Sequence, residues 1–418
     1  MTAAASGTPG IATATPSGAP TASTRNAGWS ADIDALLDAR ERYHPNPWHG
    51  FERATWIAAA DAAKARIPTL TDDQALVEIV RLAAMPDWGG RDGHTGIFFL
   101  PDSGVHAYPI LLWQFGDGMF ITAARAPYEK LVGSRIEAIA GRPIADILAL
   151  VEPLAPRDNA SNLLSYGPLY MRISELLAGL GVVDAVGPAT FTLVDEDGTR
   201  SDVEIEPITV ADDVAWHHGD PLHLREDRPL WLSKPDTNLW WTFFDDSRMV
   251  YIQYNKVLGS VRTVADEVLA RVRQGGVDRV VVDLRNNAGG DNSTYRALLT
   301  ALGDPAIDRA GRLTILIGRL TFSAAANFAT DLEQTTDATF AGEAMGGSPN
   351  LYGDARRVDL PYGNQALFMA TRYWQRSTAD DPRLTIEPDL AIPLSSEDYF
   401  SGYDPVLDAV NGVTPVGD

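Results

Sequence analysis

Apolar residues between Trp29 and about Ala84 recur at intervals of three and four, the spacing of helices that bury one face. Ser30 can cap a first helix carrying Ile33, Leu36 and Leu37. The HPNP run at 44–47 stops it, because proline lacks an N–H and clashes with the preceding turn. A second helix is predicted from about Arg53 to Ala65. Thr71-Asp72-Asp73 caps a third, with Leu76, Ile79, Val80 and Leu82 on its apolar side. The pattern then changes. RDGHTGIFFLPD (91–102) reads as a turn leading into a strand. Between about 108 and 210, ILLWQF, GMFITAA, RIEAIAG, ATFTLVDEDG and SDVEIEPI are short strands separated by Gly and Asp turns, with one helix over Ile144–Val151.

After a linker rich in His, Asp and Pro (211–237), strands and helices alternate. MVYIQYN (249–255) is a strand, about Val261 to Gln274 a helix, and VDRVVVDLRNNAGG a continuous apolar strand running into a polar, glycine-rich loop. A helix at about 293–302, the strand LTILIG (313–318), a helix at 322–334 and the strand ATFAGE (338–343) follow. A run of valines without alternation marks a strand covered on both faces, and strand–helix alternation predicts an α/β core. Residues 1–26, small and rich in Pro, Gly and Thr, cannot build a core and predict a disordered leader. They carry neither a basic n-region nor an apolar h-region, so no signal peptide is visible.

Composition narrows the function classes. In 418 residues, 34 Lys+Arg against 56 Asp+Glu leave a formal net charge of −22. No basic excess exists to neutralise phosphates, so no nucleic acid and no anionic membrane surface is expected as a partner. No run of about 18 apolar residues exists for stable membrane insertion. The absence of cysteine removes disulfides, thiolate metal sites and a cysteine nucleophile. The seven histidines form no metal-binding spacing, so no metal and no cofactor is expected.

Three segments could carry chemistry. DLRNNAGGDN delivers Asp283, Arg285, Asn286 and Asn287 to the carboxyl end of the buried strand, where α/β sites form, and Gly289 and Gly290 let backbone N–H groups approach a ligand. It is either an oxyanion cradle or a structural turn in which Asp283 and Arg285 satisfy each other. Ser323 in GRLTFSAAANFA opens an Ala-rich helix, as a nucleophile at the positive end of the dipole or as a plain cap. His94 in DGHTG is a base or a structural turn residue. There is no GxSxG elbow.

Together, DLRNNAGGD, TFSAAANFA and DGHTGIFF resemble, in order and context, the serine peptidases called C-terminal processing or tail-specific proteases. FFDDSRMVYIQYN, FAGEAMGGSPNLYGD, IEPDLAIP and EDYFSGYDPVLDAV extend the resemblance over most of 29–411. It implies an α/β fold with a crotonase/ClpP-like core, an N-terminal helical subdomain and an inserted PDZ-like β-rich module. The implied organisation is a leader (1–28), a helical subdomain with the His-bearing turn and strand (29–103), the PDZ-like module (104–210) and the catalytic core (211–418).

The resemblance maps the nucleophile onto Ser323 and the oxyanion donors onto the N–H of Ala324 and of Gly289 or Gly290. Processing proteases of this kind place a lysine in the GE-containing segment, where this chain has GEAMGGSPN with Ser348 at that position and no lysine after Ser323. The chain is closer to the tricorn-core-like branch, whose base is a histidine, here His94. The serine that precedes that histidine is Gly93 here, leaving Thr95, Ser348 or Glu343 for support. The orienting carboxylate maps near TADDPRLTIEPD, to Asp381 or Asp380 first and Glu387 next. The implied function is a serine endopeptidase or carboxyl-terminal processing peptidase acting on peptide or protein substrates through a Ser323 acyl-enzyme, with a secreted or periplasmic setting and assembly into homo-oligomers compatible with it. The rival readings are a catalytically inactive member that binds a hydrophobic ligand or peptide, and acyl-CoA chemistry, which the acidic balance disfavours.

Overall fold

The computed structural model describes residues 22–217 and 229–412. Its centre is a six-stranded sheet in the order Leu239–Phe244, Met249–Tyr254, Arg279–Asp283, Leu313–Ile317, Thr339–Gly342 and Leu390–Ala391. The first pair is antiparallel and all others are parallel. The valine run explains why Arg279–Asp283 sits in the middle. Val280 and Val282 pack on one face with the helices Arg262–Arg273 and Ala324–Thr335, while Val281 packs on the other with Trp240, Tyr251 and Val406. Each fully buried valine removes about 1.5–3 kcal/mol of apolar surface energy from water. An exposed edge position could not use such a strand.

The three predicted N-terminal helices are present as Ala22–Tyr43, Arg53–Arg66 and Asp72–Ala84. The third opens on the expected cap, a reciprocal pair in which Thr71 Oγ1 accepts the Gln74 N–H and the Gln74 side chain accepts the Thr71 N–H. The first differs from expectation. It starts at Ala22, inside the expected leader, and Ser30 lies within it, donating to the Asn26 carbonyl. The anchor is tertiary: Trp29 donates to Asp72 and Arg25 reaches the carbonyls of Ile67 and Leu70. Residues 1–21 of the expected leader lie outside the described residues. So does most of the expected linker, whose opening residues continue a helix, Val210–His217.

The β-rich segment forms its own antiparallel sheet, Ile110–Phe115, Gly118–Ala124, Arg135–Ile139, Ala189–Val194 and Arg200–Ile205. None of these strands pairs with the central sheet. Two unforeseen helices, Ala160–Tyr170 and Ser174–Gly179, join Ile144–Val151 in this segment. The first contains Pro168 and Gly167, which conceal a helix from a reading based on propensity. A single hydrophobic cluster runs from Ile33 and Trp56 through Val80 to Ile121 and Phe191, so packing is continuous across the expected boundary at 103/104. The strand after the His-bearing turn is only Gly96–Ile97, pinned antiparallel to Leu367 and Phe368 some 270 residues later.

Candidate active site

Ser323 sits between the strand Leu313–Ile317 and the helix Ala324–Thr335, at φ 54° and ψ −123°. That conformation costs a non-glycine residue about 1–3 kcal/mol, and surrounding contacts must hold it. They do: Thr321 Oγ1 donates to the Leu284 carbonyl, the Phe322 N–H to the Asn287 carbonyl and the Gly347 N–H to the Thr321 carbonyl. The serine side chain makes no capping bond to its helix. Its hydroxyl instead lies 2.9 Å from His94 Nε2. The imidazole stacks on the Phe322 ring at 4.4 Å and 20°.

His94 comes from the far N-terminal side of the chain, 229 residues away. Its turn is built on Asp92, whose Oδ1 accepts the N–H groups of His94 and Thr95. Asp92 Oδ2 lies 2.9 Å from His44 Nε2. The Asn46 N–H donates to His44 Nδ1, which puts that ring's proton on Nε2, facing Asp92. Burial raises the Asp92 carboxyl, but His44, Arg40 and Thr95 together outweigh it and the group ends below its ordinary value. Burial lowers the His94 pKa, with Asp92, Asp354 and the Tyr352 backbone pulling back more weakly. His94 Nδ1 is buried without a hydrogen bond.

The loop after Asp283 resolves into two functions. Asp283, Arg285 and Asp404 form a buried ion cluster, with Arg285 reaching Asp283 at 2.6 Å and Asp404 at 2.7 Å. That half is structural and fastens the C-terminal helix Pro405–Gly412. The other half faces the serine. A Cβ on Gly289, at φ 105°, would lie 2.7 Å from Ser323 Cβ and 2.8 Å from the Ala324 nitrogen. The Gly289 N–H is given to Asn287 Oδ1 at 2.9 Å. Gly289→Ala is expected to abolish reaction at Ser323, because the methyl group must displace the nucleophile or the Ala324 amide and the positive φ is strained as well. Loss of labelling by an active-site acylating reagent, in a variant that still melts cooperatively, checks this.

The expected support residues have other hydrogen-bond partners. The Asp381 carboxylate pairs with Arg383 and accepts from Ser377 at 2.5 Å, and Arg383 holds it well below the usual carboxylate range. Asp380 and Glu387 are exposed. None of these three is hydrogen-bonded to His94. Glu343 forms a two-point pair with Arg319. Thr95 Oγ1 accepts the Ala370 N–H, and the Ser348 hydroxyl donates to the Leu384 carbonyl. Gly93 in place of serine has a steric reason: a Cβ there would meet Asn162 Oδ1 at 2.6 Å and the Phe322 ring at 3.0 Å.

Sequence reasoning missed Asp92, Asp158, Asn159 and Asn162. Asp92 was readable, since an Asp two residues before the histidine in a Gly-containing turn is an Asx-turn signal. The Asp158–Asn162 set was not, because its helix was missed. Asn159 caps that helix and its Nδ2 donates to the carbonyls of Met345, Gly347 and Leu384.

Among the described residues, His44, His49 and Asp92 bring their ligand atoms within 4.8 Å of one another. The arrangement does not suit an ion. Both His44 nitrogens are committed, and the two rings are stacked 16° from parallel at 5.4 Å, so their lone pairs do not converge.

No protein-family model matches the chain, and no curated protein matches it. Solved structures do. The crystal structure of the CPAF S499A mutant is similar at 12% identity with a TM-score of 0.64, covering 94% of this chain and 99% of that one. Mature CPAF complexed with lactacystin is similar at 13% identity with a TM-score of 0.62, covering 92% and 98%. The photosystem II D1 C-terminal processing protease is matched at 15% identity with a TM-score of 0.42, covering 92% and 96%. The chain therefore shares the fold of CPAF over nearly the full length of both.

Proposed function

We propose that the chain is a serine-type peptidase that cleaves peptide bonds through a Ser323 acyl-enzyme, with His94 as its base. The observation that carries the proposal is the 2.9 Å approach of His94 Nε2 to a serine hydroxyl held in a strained backbone conformation. His94 Nε2 takes the Oγ proton as Oγ bonds to the substrate carbonyl carbon. The carbonyl oxygen becomes an oxyanion facing the N–H groups of Ala324 and Gly290, at the positive end of a twelve-residue helix. Collapse breaks the C–N bond, and the imidazolium returns its proton to the leaving amine. Water then attacks the ester and gives a proton to His94, and the imidazolium returns it to Ser323 Oγ as the C–O bond breaks and the acid leaves. For the first step the neutral ring carries its proton on Nδ1, on the side of the Tyr352 backbone and the charges of Asp92 and Asp354. These charges stabilise the imidazolium without a carboxylate bonded to the ring. In this reading the sheet of 104–210 with the helix Ile144–Val151 is a PDZ-like module beside a crotonase-like core, and it meets the substrate chain.

A fluorophosphonate probe tests the proposal. Covalent labelling at Ser323 is expected, and lactacystin, found in complex with CPAF, is a second probe. A chain that stays unlabelled by both would be a binding protein on a peptidase fold. The labelling rate should rise with pH through the ionisation of His94, which lies below about 6.5, the ordinary histidine value. The sign follows from burial, which favours the neutral, proton-accepting ring. A midpoint well above 7 would remove His94 as the base.

A further inference from the structure

We propose that Asp158 is a positioning residue that holds the base-bearing turn in register with the nucleophile, gripping Gly93 with one carboxylate oxygen and Ser348 with the other. The inference rests on the reading of Ser323 and His94 as nucleophile and base. Asp158 lies immediately before the helix Ala160–Tyr170, is fully buried, and belongs to neither of the segments that carry those two residues. Its Oδ1 accepts the Gly93 N–H at 2.6 Å, one peptide before His94. Its Oδ2 accepts the Ser348 N–H at 2.9 Å. Its backbone takes part as well, with its carbonyl accepting from the Arg91 N–H at 2.8 Å and lying 3.2 Å from the Ser348 hydroxyl. The helix that follows holds the other side of Gly93, where Tyr166 Oη faces the Gly93 carbonyl at 3.4 Å. Next to Ser348, a Cβ on Gly347 would lie 3.5 Å from the Ser323 nitrogen, so the Ser348 segment borders the nucleophile.

A buried carboxylate shared by two backbone amides from distant segments is costly unless both amides stay in place. That cost makes the carboxylate a clamp. Moving the His94 turn away from the Ser348 segment leaves a desolvated oxygen unpaired. Burial pushes the Asp158 carboxyl up to about 7, against the two N–H donors and Arg91, which pull it down, and Asp92, which adds to the rise. The ionisable side chains around it are Arg91, Asp92 and, from its own helix, Tyr166. Asparagine would keep the shape but turn an NH2 toward one of the two N–H donors, so one grip must fail.

The test is Asp158→Asn in the full chain. A misplacement of about 1 Å costs on the order of 10²-fold, so kcat on a peptide turned over by wild type should fall about 10–100-fold. KM should stay within about twofold, and the fluorophosphonate labelling rate at Ser323 should fall by the same factor as kcat. An unchanged kcat, or a loss matched by the fraction unfolded, overturns the proposal. Wild-type protein supplies a readout that needs neither activity nor a folded variant. The Gly93 and Ser348 amides should be protected from hydrogen exchange, and both resonances should move together over one ionisation of the shared carboxylate. Rapid exchange at Gly93, or independent titration of the two, overturns the clamp. Wild-type protein that resists the fluorophosphonate would count against the peptidase reading alone, with the amide measurement still deciding the clamp.

Discussion

Ser323→Ala is expected to lower kcat by about 10⁴–10⁶ on any peptide the wild type cleaves, with the fold unchanged. The hydroxyl makes no cap for its own helix, so removing it takes away the reacting atom and little else. His94→Ala should cost about as much, and the double variant hardly more than either single one, because nucleophile and base act as one unit. The assay is steady-state turnover beside a melting curve. Turnover by Ser323→Ala within tenfold of wild type would remove the serine from the chemistry. Additive losses would show that His94 works elsewhere.

The second large effect is on stability. Arg285→Ala should destabilise the fold by about 3–5 kcal/mol, the range for breaking a buried ion pair from one side. Burial alone would lower the Arg285 pKa, yet Asp283 and Asp404 drive it well above its ordinary value, and burial of Asp404 is likewise outweighed by Arg285. Without the guanidinium, two buried carboxylates face each other, and Tyr251 cannot neutralise them although its hydroxyl donates to Asp283 at 2.8 Å. The C-terminal helix should loosen first, since Asp404 links it through Arg285 to the end of the central strand. Urea denaturation gives the magnitude, and exchange at Val406 and Val410 the order of events. A change below 1 kcal/mol would mean that the cluster is solvated in solution.

The local devices of this chain were legible because their causes are local. The Thr71 cap, the valine strand, the Ile144–Val151 helix and the strand–helix alternation after residue 249 depend on neighbours within a few positions, and the structure contains them. The pairing of Asp283 with Arg285 was one of two readings of its loop, and the structure contains that as well, beside glycines packed against Ser323. The resemblance of three short segments brought Ser323, His94 and the glycine loop together on paper, and they are adjacent in space.

The surroundings of the histidine were not legible, and the orienting carboxylate shows why. Asp381 stands in the right stretch of chain, but Arg383, two residues on, offers it a closer cation, and sequence position says nothing about which partner a carboxylate faces. The charges that reach His94 come from Asp92, inside its own turn, and from Asp354. The Asp158 carboxylate that accepts the Gly93 N–H stands just ahead of a helix hidden by Pro168. The sequence by itself determined most of the elements and the buried strand, and it singled out Ser323 and His94 as candidate reacting groups, because backbone propensity and side-chain chemistry travel with the residues. Only the tertiary structure decided which carboxylates hold the base. Burial and hydrogen-bond partners are properties of packing between segments hundreds of residues apart, and the energy of a buried charge depends on all of them at once.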